Sequence, residues 1–432
     1  MATSLNKQDK MEREASLRSI LDTEGLFRFA SETDREAVAS ALRDAYDAAW
    51  ETIAPFYVRA VHRMLGDIRA AAANGATLAS VGRDGENCRV IVLAFEPGLD
   101  IIEIPINRSG VRSALADLKR HHGRTFPELD AMLGTIAWKA PSDEEIADAA
   151  RNLTTLLRRR GLPVDEPEPR QDVILLDNGM RGTTRAALKQ MYWPTARGTL
   201  VRGLYLFRTA AYFDPHPHAD RGYLFDLDAA GSNGGKNLLV LPDDPDLEGL
   251  TFRANDALVV IEVLTSGPKL TPDRIDAQGH PVQGWFRDHP LTKGVNPAHR
   301  SARYTDPRVQ EGVLRAVREA IGNHARSVAL RERRGADVQE LLRPGHERMV
   351  RNTRDWIAGN LDAMHPGLRE LVSTYCWRTS RWSMNVKLAD AVEAAGLSAE
   401  TARTVWTEFD ELRDDTAREA FIERLAGSPR ES

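Results

Sequence analysis

The segment best suited to chemistry is residues 177–184, which follow an apolar run at 173–176. Such a run is typical of a strand buried on both faces, and the residues after 184 have helical spacing. A strand, a glycine loop and a helix N-terminus present free backbone N–H groups and a positive dipole end to an anion. The residues expected to contact that anion are Asn178, Gly179, Met180, Arg181, Gly182, Thr183 and Thr184. The pattern predicts a phosphate-binding loop; the alternative is a strand-to-helix turn whose glycines serve geometry alone.

Two further turns of this kind follow the strands predicted at 76–81 and 101–106. The residues of interest in them are Arg83, Asp84, Gly85, Arg108 and Ser109. In open α/β sheets, ligands bind beyond the carboxyl ends of the strands. If the strands are parallel, we expect the three turns to converge on one crevice. Each arginine taken alone is equally compatible with a solvated surface position.

One acid lies inside an apolar segment. Glu262 belongs to the run 257–264, which predicts a strand, as does the run 90–95. A carboxylate in such surroundings is either paired structurally or directed into a site. Glu262 is therefore a candidate general base, with a structural ion pair as the alternative.

Two weaker signals have ordinary explanations. His216 and His218 with Asp220 have the character of metal ligands, but two prolines make a loop with unbound histidines the simpler reading. The glycine-rich stretch 231–237 contains one lysine and lacks the spacing of a P-loop, so it predicts a flexible connection.

A pair of acids offers a different chemistry. Asp226 and Asp228 follow a short apolar run and resemble the D-x-D nucleophile motif of haloacid-dehalogenase phosphatases. Residue 230 is Ala, where that family has Thr or Val. Phosphoester hydrolysis is therefore kept as an alternative function.

The composition limits the class of protein. The chain has 432 residues, a net charge of −5 and 42% hydrophobic residues, as expected for a globular protein of two or three domains. The acidic balance gives no basic face for nucleic acid. Cys88 and Cys376 lie too far apart in the sequence for a cysteine zinc cluster and fit a reducing compartment. No segment approaches the roughly 20 apolar residues of a membrane span, and the polar first residues are unlike a signal peptide, so we expect a cytoplasmic location.

The elements that must position the candidate residues fall into three predicted regions. Residues 1–75 are expected to form a helical N-terminal cover, in which Pro55 kinks or divides a long helix at 34–68. Residues 76–304 predict an α/β core with a mostly parallel sheet flanked by helices, and 305–432 a helical C-terminal region.

The central loop resembles a known family. Residues 175–183 (LLDNGMRGT) are similar to the D-x-G-x-x-G-[ST] loop of a divergent phosphoribosyltransferase-like branch found in bacterial polysaccharide and natural-product biosynthesis, usually fused to a haloacid-dehalogenase phosphatase. Other segments similar to motifs of this branch are 80–85, 107–109, 261–269 and 276–282. The resemblance covers roughly residues 45–320. It implies a phosphoribosyltransferase-like fold and transfer of a 5-phosphoribosyl group from phosphoribosyl pyrophosphate (PRPP) to an acceptor hydroxyl or amine.

The resemblance also implies roles for the candidate residues. The loop 179–184 would hold the 5-phosphate, and Asp177 would accept hydrogen bonds from the ribose hydroxyls. Pyrophosphate would be held by Arg83, the backbone at Gly85 and Arg108, which stabilises the leaving group of an oxocarbenium-like transition state. Asp84 or Glu262 would serve as general base for the acceptor.

The chain departs from the family pattern at two points. Asn178 stands where ordinary phosphoribosyltransferases have a second acid, which bears on the Mg²⁺ that accompanies PRPP. The first 75 residues contain no D-x-D-x-T motif and are too few for the fused phosphatase, so we expect that either a separate phosphatase acts or the product keeps its phosphate. The acceptor, a glycan or a small metabolite, is left open, and a non-catalytic nucleotide-sensing protein is the remaining alternative.

Overall fold

The structure is a computed structural model that describes most of the chain. The described residues are 6–23, 26–127, 129–130, 141–166, 171–179, 182–195, 200–209, 219–227, 247–265, 272–283, 295–304, 307–376, 379–412 and 415–426. The helices up to residue 265 are α1 (Lys7–Leu21), α2 (Glu32–Glu51), α3 (Ile53–Ala73), α4 (Gly82–Phe95), α5 (Arg108–His122), α6 (Asp143–Ile146), α7 (Ala149–Arg159), α8 (Thr183–Tyr192) and α9 (Leu247–Thr265). The later helices are α10 (Pro307–Glu332), α11 (Val338–Ala358), α12 (Pro366–Tyr375), α13 (Thr379–Ala395), α14 (Ala399–Glu411) and α15 (Asp415–Ala426).

The core is a five-stranded sheet in which every neighbouring pair is parallel. Its strands are β1 (Thr77–Val81), β2 (Ile101–Ile104), β3 (Val173–Asp177), β4 (Val201–Thr209) and β5 (Asp220–Leu227). Their order is β2-β1-β3-β4-β5. A separate antiparallel hairpin pairs β6 (Pro272–Ile275) with β7 (Pro281–Gln283). The prediction of an α/β fold with a mostly parallel sheet is therefore confirmed at this level.

Helices cover both faces of the sheet, which explains why β3 is apolar throughout. Ile174 and Leu176 belong to one hydrophobic cluster with α3 and α4, whereas Val173 and Leu175 belong to a second cluster with α5, α7 and α8. Successive side chains of a strand point to opposite faces, so a strand covered twice needs apolar residues at every position.

The helices at the two ends of the chain pack on the same face of the sheet. Residues of α1, α2 and α3 share a hydrophobic cluster with residues of α10, α11 and α12, while α13, α14 and α15 form a small cluster of their own. The division into domains at 75 and 304 stays a prediction. Within the described residues, none of the helices is long and apolar enough to cross a membrane.

The long helix predicted at 34–68 is divided where a break was expected. α2 ends at Glu51 and α3 begins at Ile53, so Pro55 lies in the first turn of the second helix. A proline is tolerated there because the first turn of a helix has backbone N–H groups without intrahelical partners. The hydroxyl of the intervening Thr52 donates to the carbonyl of Ala48 over 2.6 Å.

Two strand predictions are wrong. Residues 90–95 belong to α4, in which Cys88, Ile91, Val92 and Phe95 are buried at helical spacing. Residues 257–264 belong to α9, where seven of the eight side chains are buried. A helix that is apolar on nearly all sides has the same sequence pattern as a buried strand, and periodicity alone cannot separate the two.

Candidate active site at the carboxyl edge of the sheet

The strand order reverses between β1 and β3. The chain leaves β1 through α4 to reach β2 on one side, and leaves β3 through α8 to reach β4 on the other. The two helices also cover opposite faces of the sheet. In doubly wound sheets, such a reversal opens a crevice beyond the strand ends, where ligands bind. We call the region formed by the ends of β1 and β3 and the first turns of α4 and α8 the switch-point crevice.

The turn predicted after β1 is part of a helix. α4 begins at Gly82, directly after the last residue of the strand, so residues 82–85 form its first turn instead of a loop. This turn lies against β3, because a Cβ atom on Gly85 would be 2.5 Å from the carbonyl oxygen of Leu176. The backbone at Gly85 thus packs against the end of β3, and its contact with a ligand stays a prediction. The side chains of Arg83 and Asp84 lie outside the described residues, and their roles stay predictions.

The chain after β3 folds back onto β4. Asp177 is half-buried at the end of the strand, and its Oδ1 accepts a hydrogen bond of 2.7 Å from the N–H of Asn178. The carbonyl of Asn178 accepts from the N–H of Phe207 over 3.0 Å. Gly179 has a φ of +110°, and a Cβ atom there would collide with the carbonyl of Phe207. The path of the loop therefore requires glycine at this position.

The side chain of Asn178 anchors the loop from behind. It is fully buried, and its Oδ1 accepts a hydrogen bond from the hydroxyl of Tyr57 on α3. The Sγ of Cys88 on α4 lies 4.0 Å from the same oxygen. The Nδ2 group has no partner among the described residues. The side chain is thus held in the interior, and a ligand contact at Asn178 stays a prediction.

The start of α8 rests on a buried ion pair. Gly182 precedes the helix with a φ of +63°, and a Cβ atom there would collide with the carboxylate of Asp220. That carboxylate lies 2.7 Å from the Nε of Arg185. The sequence pattern allows Asp220 as a metal ligand, but this ion pair accounts for its carboxylate. Thr183 is buried and Thr184 half-buried in the first turn of the helix.

Four sequence predictions fall on the part of the chain that the structure does not describe. They concern Met180 and Arg181 of the loop, the histidines at 216 and 218, Asp228 and the stretch 231–237.

The turn after β2 joins the same edge of the sheet. Arg108 and Ser109 are exposed in the first turn of α5, which is capped by Asn107 through a 2.7 Å hydrogen bond from the N–H of Gly110. A Cβ atom on Gly82 would lie 2.7 Å from the carbonyl of Ile106, so the first turn of α4 contacts this segment. The expected proximity of these two turns is confirmed.

Glu262 lies on a helix whose last residue contacts α4. The carbonyl of Thr265, the last residue of α9, accepts a 2.9 Å hydrogen bond from the Nδ2 of Asn87 in the second turn of α4. Glu262 is half-buried and lies three residues before that contact. Its role as a base stays a prediction.

Arg318 contacts the same asparagine, which the sequence did not indicate. This residue of α10 donates through Nε to the Oδ1 of Asn87 over 3.3 Å. Burial lowers the pKa of Arg318, with partial compensation from nearby acids. Nothing in the sequence near Arg318 indicates this contact, since its partner is 231 residues away.

Asp226 has a structural partner outside the crevice. It lies on the edge strand β5, where its Oδ1 is 2.6 Å from the Nη1 of Arg208 on β4. Its Oδ2 accepts from the N–H of Gly222 over 3.2 Å. Both carboxylate oxygens are therefore engaged.

The described part of the chain contains no cluster of three or more residues that could hold a metal ion. At the end of β3, Asp177 supplies a carboxylate. The side-chain oxygen of the neighbouring Asn178 already accepts a hydrogen bond from Tyr57. Magnesium commonly binds through one or two carboxylates together with substrate phosphates. A magnesium ion that arrives with a phosphorylated ligand and contacts Asp177 therefore stays a prediction.

Comparison with protein families finds no family model that matches this chain, and neither curated proteins nor solved structures give a match.

Proposed function

We propose that the switch-point crevice binds PRPP and that the protein transfers its 5-phosphoribosyl group to an acceptor hydroxyl or amine, releasing pyrophosphate. The observation that carries this proposal is the reversal of strand order between β1 and β3. It sets two glycine turns side by side, each at the start of a helix. PRPP has two separated phosphate groups, and each helix start offers backbone N–H groups and a positive dipole end to one of them.

In this proposal, different residues bind the 5-phosphate, the ribose and the pyrophosphate of PRPP. The start of α8 holds the 5-phosphate, and Asp177 accepts hydrogen bonds from the ribose hydroxyls. The first turn of α4, together with Arg108, holds the pyrophosphate. The C1–O bond breaks and its electron pair leaves with the pyrophosphate, so positive charge near that group lowers the barrier.

The acceptor completes the reaction. Its oxygen or nitrogen forms a bond to C1 and loses a proton to Asp84 or Glu262. Asp177 would hold a magnesium ion that accompanies PRPP, and this ion would neutralise phosphate charge. Removal of the 5-phosphate from the product would require a phosphatase.

Phosphoester hydrolysis is less well supported. A phosphatase nucleophile must be open to its substrate, whereas Asp226 is ion-paired with Arg208 and hydrogen-bonded to Gly222. Asp228, the second acid of the motif, lies outside the described residues, so the argument rests on Asp226.

Calorimetry with PRPP and with its two halves tests the proposed binding mode. We expect a Kd on the order of micromolar for PRPP, and competition by both ribose 5-phosphate and pyrophosphate. The variant Arg108→Ala should weaken pyrophosphate more than ribose 5-phosphate, and Arg403→Ala, at an exposed position on α14, should change neither. Absence of heat with PRPP would overturn the proposal. Binding of PRPP without any turnover would instead favour a nucleotide-sensing protein.

A further inference from the structure

A second concave site lies on the outer side of α5. This cavity of about 290 Å³ is enclosed by α5, α6, α7 and the β6–β7 hairpin. Its volume is near the lower end of the range for small-molecule sites. None of the residues assigned above to PRPP lines it. We call it the α5 cavity.

One residue that lines this cavity has a buried hydrogen-bond acceptor without a partner among the described residues. Asn152, on α7, lines the cavity and is 9% exposed. Its Nδ2 donates to the carbonyl of Ile275 over 3.1 Å, which fixes the orientation of the amide. Its Oδ1 has no hydrogen-bond partner among the described residues. Leaving a buried acceptor unpaired costs about 1–3 kcal/mol, so a ligand with an O–H or N–H group at this point would be stabilised.

The rim of the cavity is acidic. The charged residues that line it are three acids (Glu144, Glu145 and Asp276) and one cation (Arg274). The net charge of the lining is therefore −2 (three negative charges and one positive). The Nη1 of Arg274 lies 3.5 Å from Glu144. Hydrogen bonds from the backbone at His280 and Gln278 lower the pKa of Asp276 and keep it ionised. The rim therefore favours a cation over an anion.

The buried end and the rim select different groups of one ligand. The amide oxygen of Asn152 is neutral and buried, so it suits a neutral donor such as a hydroxyl. The carboxylates at the rim are solvated and suit an ammonium group, whose charge stays in contact with water. We propose that the α5 cavity binds a small amino alcohol or amino sugar, with a hydroxyl on Asn152 and its ammonium beside Glu144. This site is independent of the PRPP proposal.

Calorimetry with glucosamine tests this inference, and glucose is the matched compound without the charge. We expect a Kd of ~1 mM or tighter for glucosamine and at least ~5-fold weaker binding of glucose. The variant Glu144→Gln should reduce that preference. In crystals soaked with glucosamine, a hydroxyl should lie about 2.8 Å from the Oδ1 of Asn152.

Filling the cavity provides the decisive variant. Ala147 is exposed at the cavity wall, so Ala147→Leu should abolish glucosamine binding without disturbing the core. Ala73→Leu, at an exposed position at the end of α3, is the matched control and should bind as the original protein does. The inference is overturned if glucosamine gives no saturable heat up to ~10 mM, or if Ala147→Leu binds it normally. Asn152→Leu should also lose binding, and Ala147→Leu keeps the test valid should that variant fail to fold.

Discussion

The Nε of Arg185 and the Oδ1 of Asp220 lie 2.7 Å apart, with 1% and 2% of the two side chains exposed. This pair joins the first turn of α8 to the start of β5, and Gly182 lies directly against its carboxylate. The glycine loop therefore packs against an ion pair whose two charges, on Arg185 and Asp220, neutralise each other. An anion above the loop does not meet an unpaired Asp220.

Removing one partner of this pair should destabilise the fold strongly. Arg185→Met or Asp220→Asn is expected to lower the free energy of unfolding by about 3–5 kcal/mol, because the remaining polar group is left buried without its partner. The double variant should lose less than the sum of the two, with a coupling energy of about 2 kcal/mol. Urea unfolding of the four proteins measures the cycle. Additive losses would show that the two side chains do not interact.

Gly182→Ala should damage the loop more than an ordinary glycine substitution does. Gly182 and Gly123 have φ values of +63° and +61°, so alanine is strained at both positions. A Cβ atom on Gly182 would collide with Asp220, whereas one on Gly123 has no neighbour within 4 Å. We expect Gly123→Ala to cost about 1 kcal/mol and to bind PRPP normally, and Gly182→Ala to cost more and to lose binding. If the two variants lose equal stability in urea unfolding and bind PRPP equally well in calorimetry, the loop at Gly182 is not part of the binding site.

Tyr57→Phe should weaken PRPP binding although Tyr57 lies behind the loop. The change leaves the fully buried Asn178 without its hydrogen bond, at an expected cost of about 1–3 kcal/mol, and frees the loop to move. Tyr192→Phe is the control, since it also removes a tyrosine hydrogen bond, to Thr154 over 3.0 Å, at the other end of α8. The control should lose stability without loss of affinity. A tightly binding Tyr57→Phe protein would contradict the anchoring role.

Stability should fall below pH 6.5 because of His324. Its ring packs edge-on against Trp50 at 4.6 Å, and its two nitrogens have no hydrogen-bond partner among the described residues. Burial, and secondarily the charge of Arg331, lowers its pKa to about 3. The unfolded chain protonates near pH 6.5, so it binds more protons than the folded protein between pH 6.5 and 3. The stability present above pH 6.5 should drop by roughly 2 kcal/mol at pH 5 through this group.

The non-titrating variant His324→Phe isolates that contribution. The difference between its free energies of unfolding at pH 7 and pH 5 should be roughly 2 kcal/mol smaller than in the original protein. An unchanged difference would show that His324 is not desolvated in the folded state.

Local patterns in the sequence predicted the elements that carry the crevice. The apolar run at 173–176 is a strand because both of its faces are covered, and the glycines after it mark its end. The carboxyl ends of parallel strands lie at the same edge of a sheet, and this rule predicted that the turns after β1, β2 and β3 lie close together. The same apolar criterion failed at 257–264, because α9 is buried on nearly all sides and loses its amphipathic pattern.

Contacts distant in sequence could not be predicted in this way. Tyr57 and Asn178 are 121 residues apart, and no local pattern joins an aromatic residue of one helix to an amide after a strand. Arg185 has the sequence context of a surface arginine, yet it is buried because β5 supplies Asp220. The position of Asn178 in the loop predicts a ligand contact. Its main structural contact is with α3, which only the fold reveals.

Pyrophosphate release tests the central claim most directly. PRPP and an acceptor pool from cell extract are incubated with the protein, and pyrophosphate and inorganic phosphate are both followed. We expect pyrophosphate from the original protein, none from Asp177→Ala, and nearly normal release from Asp226→Asn, which retains a polar group beside Arg208. If inorganic phosphate is the sole product and Asp226→Asn alone is inactive, the crevice is not a transferase site and the protein is a phosphatase.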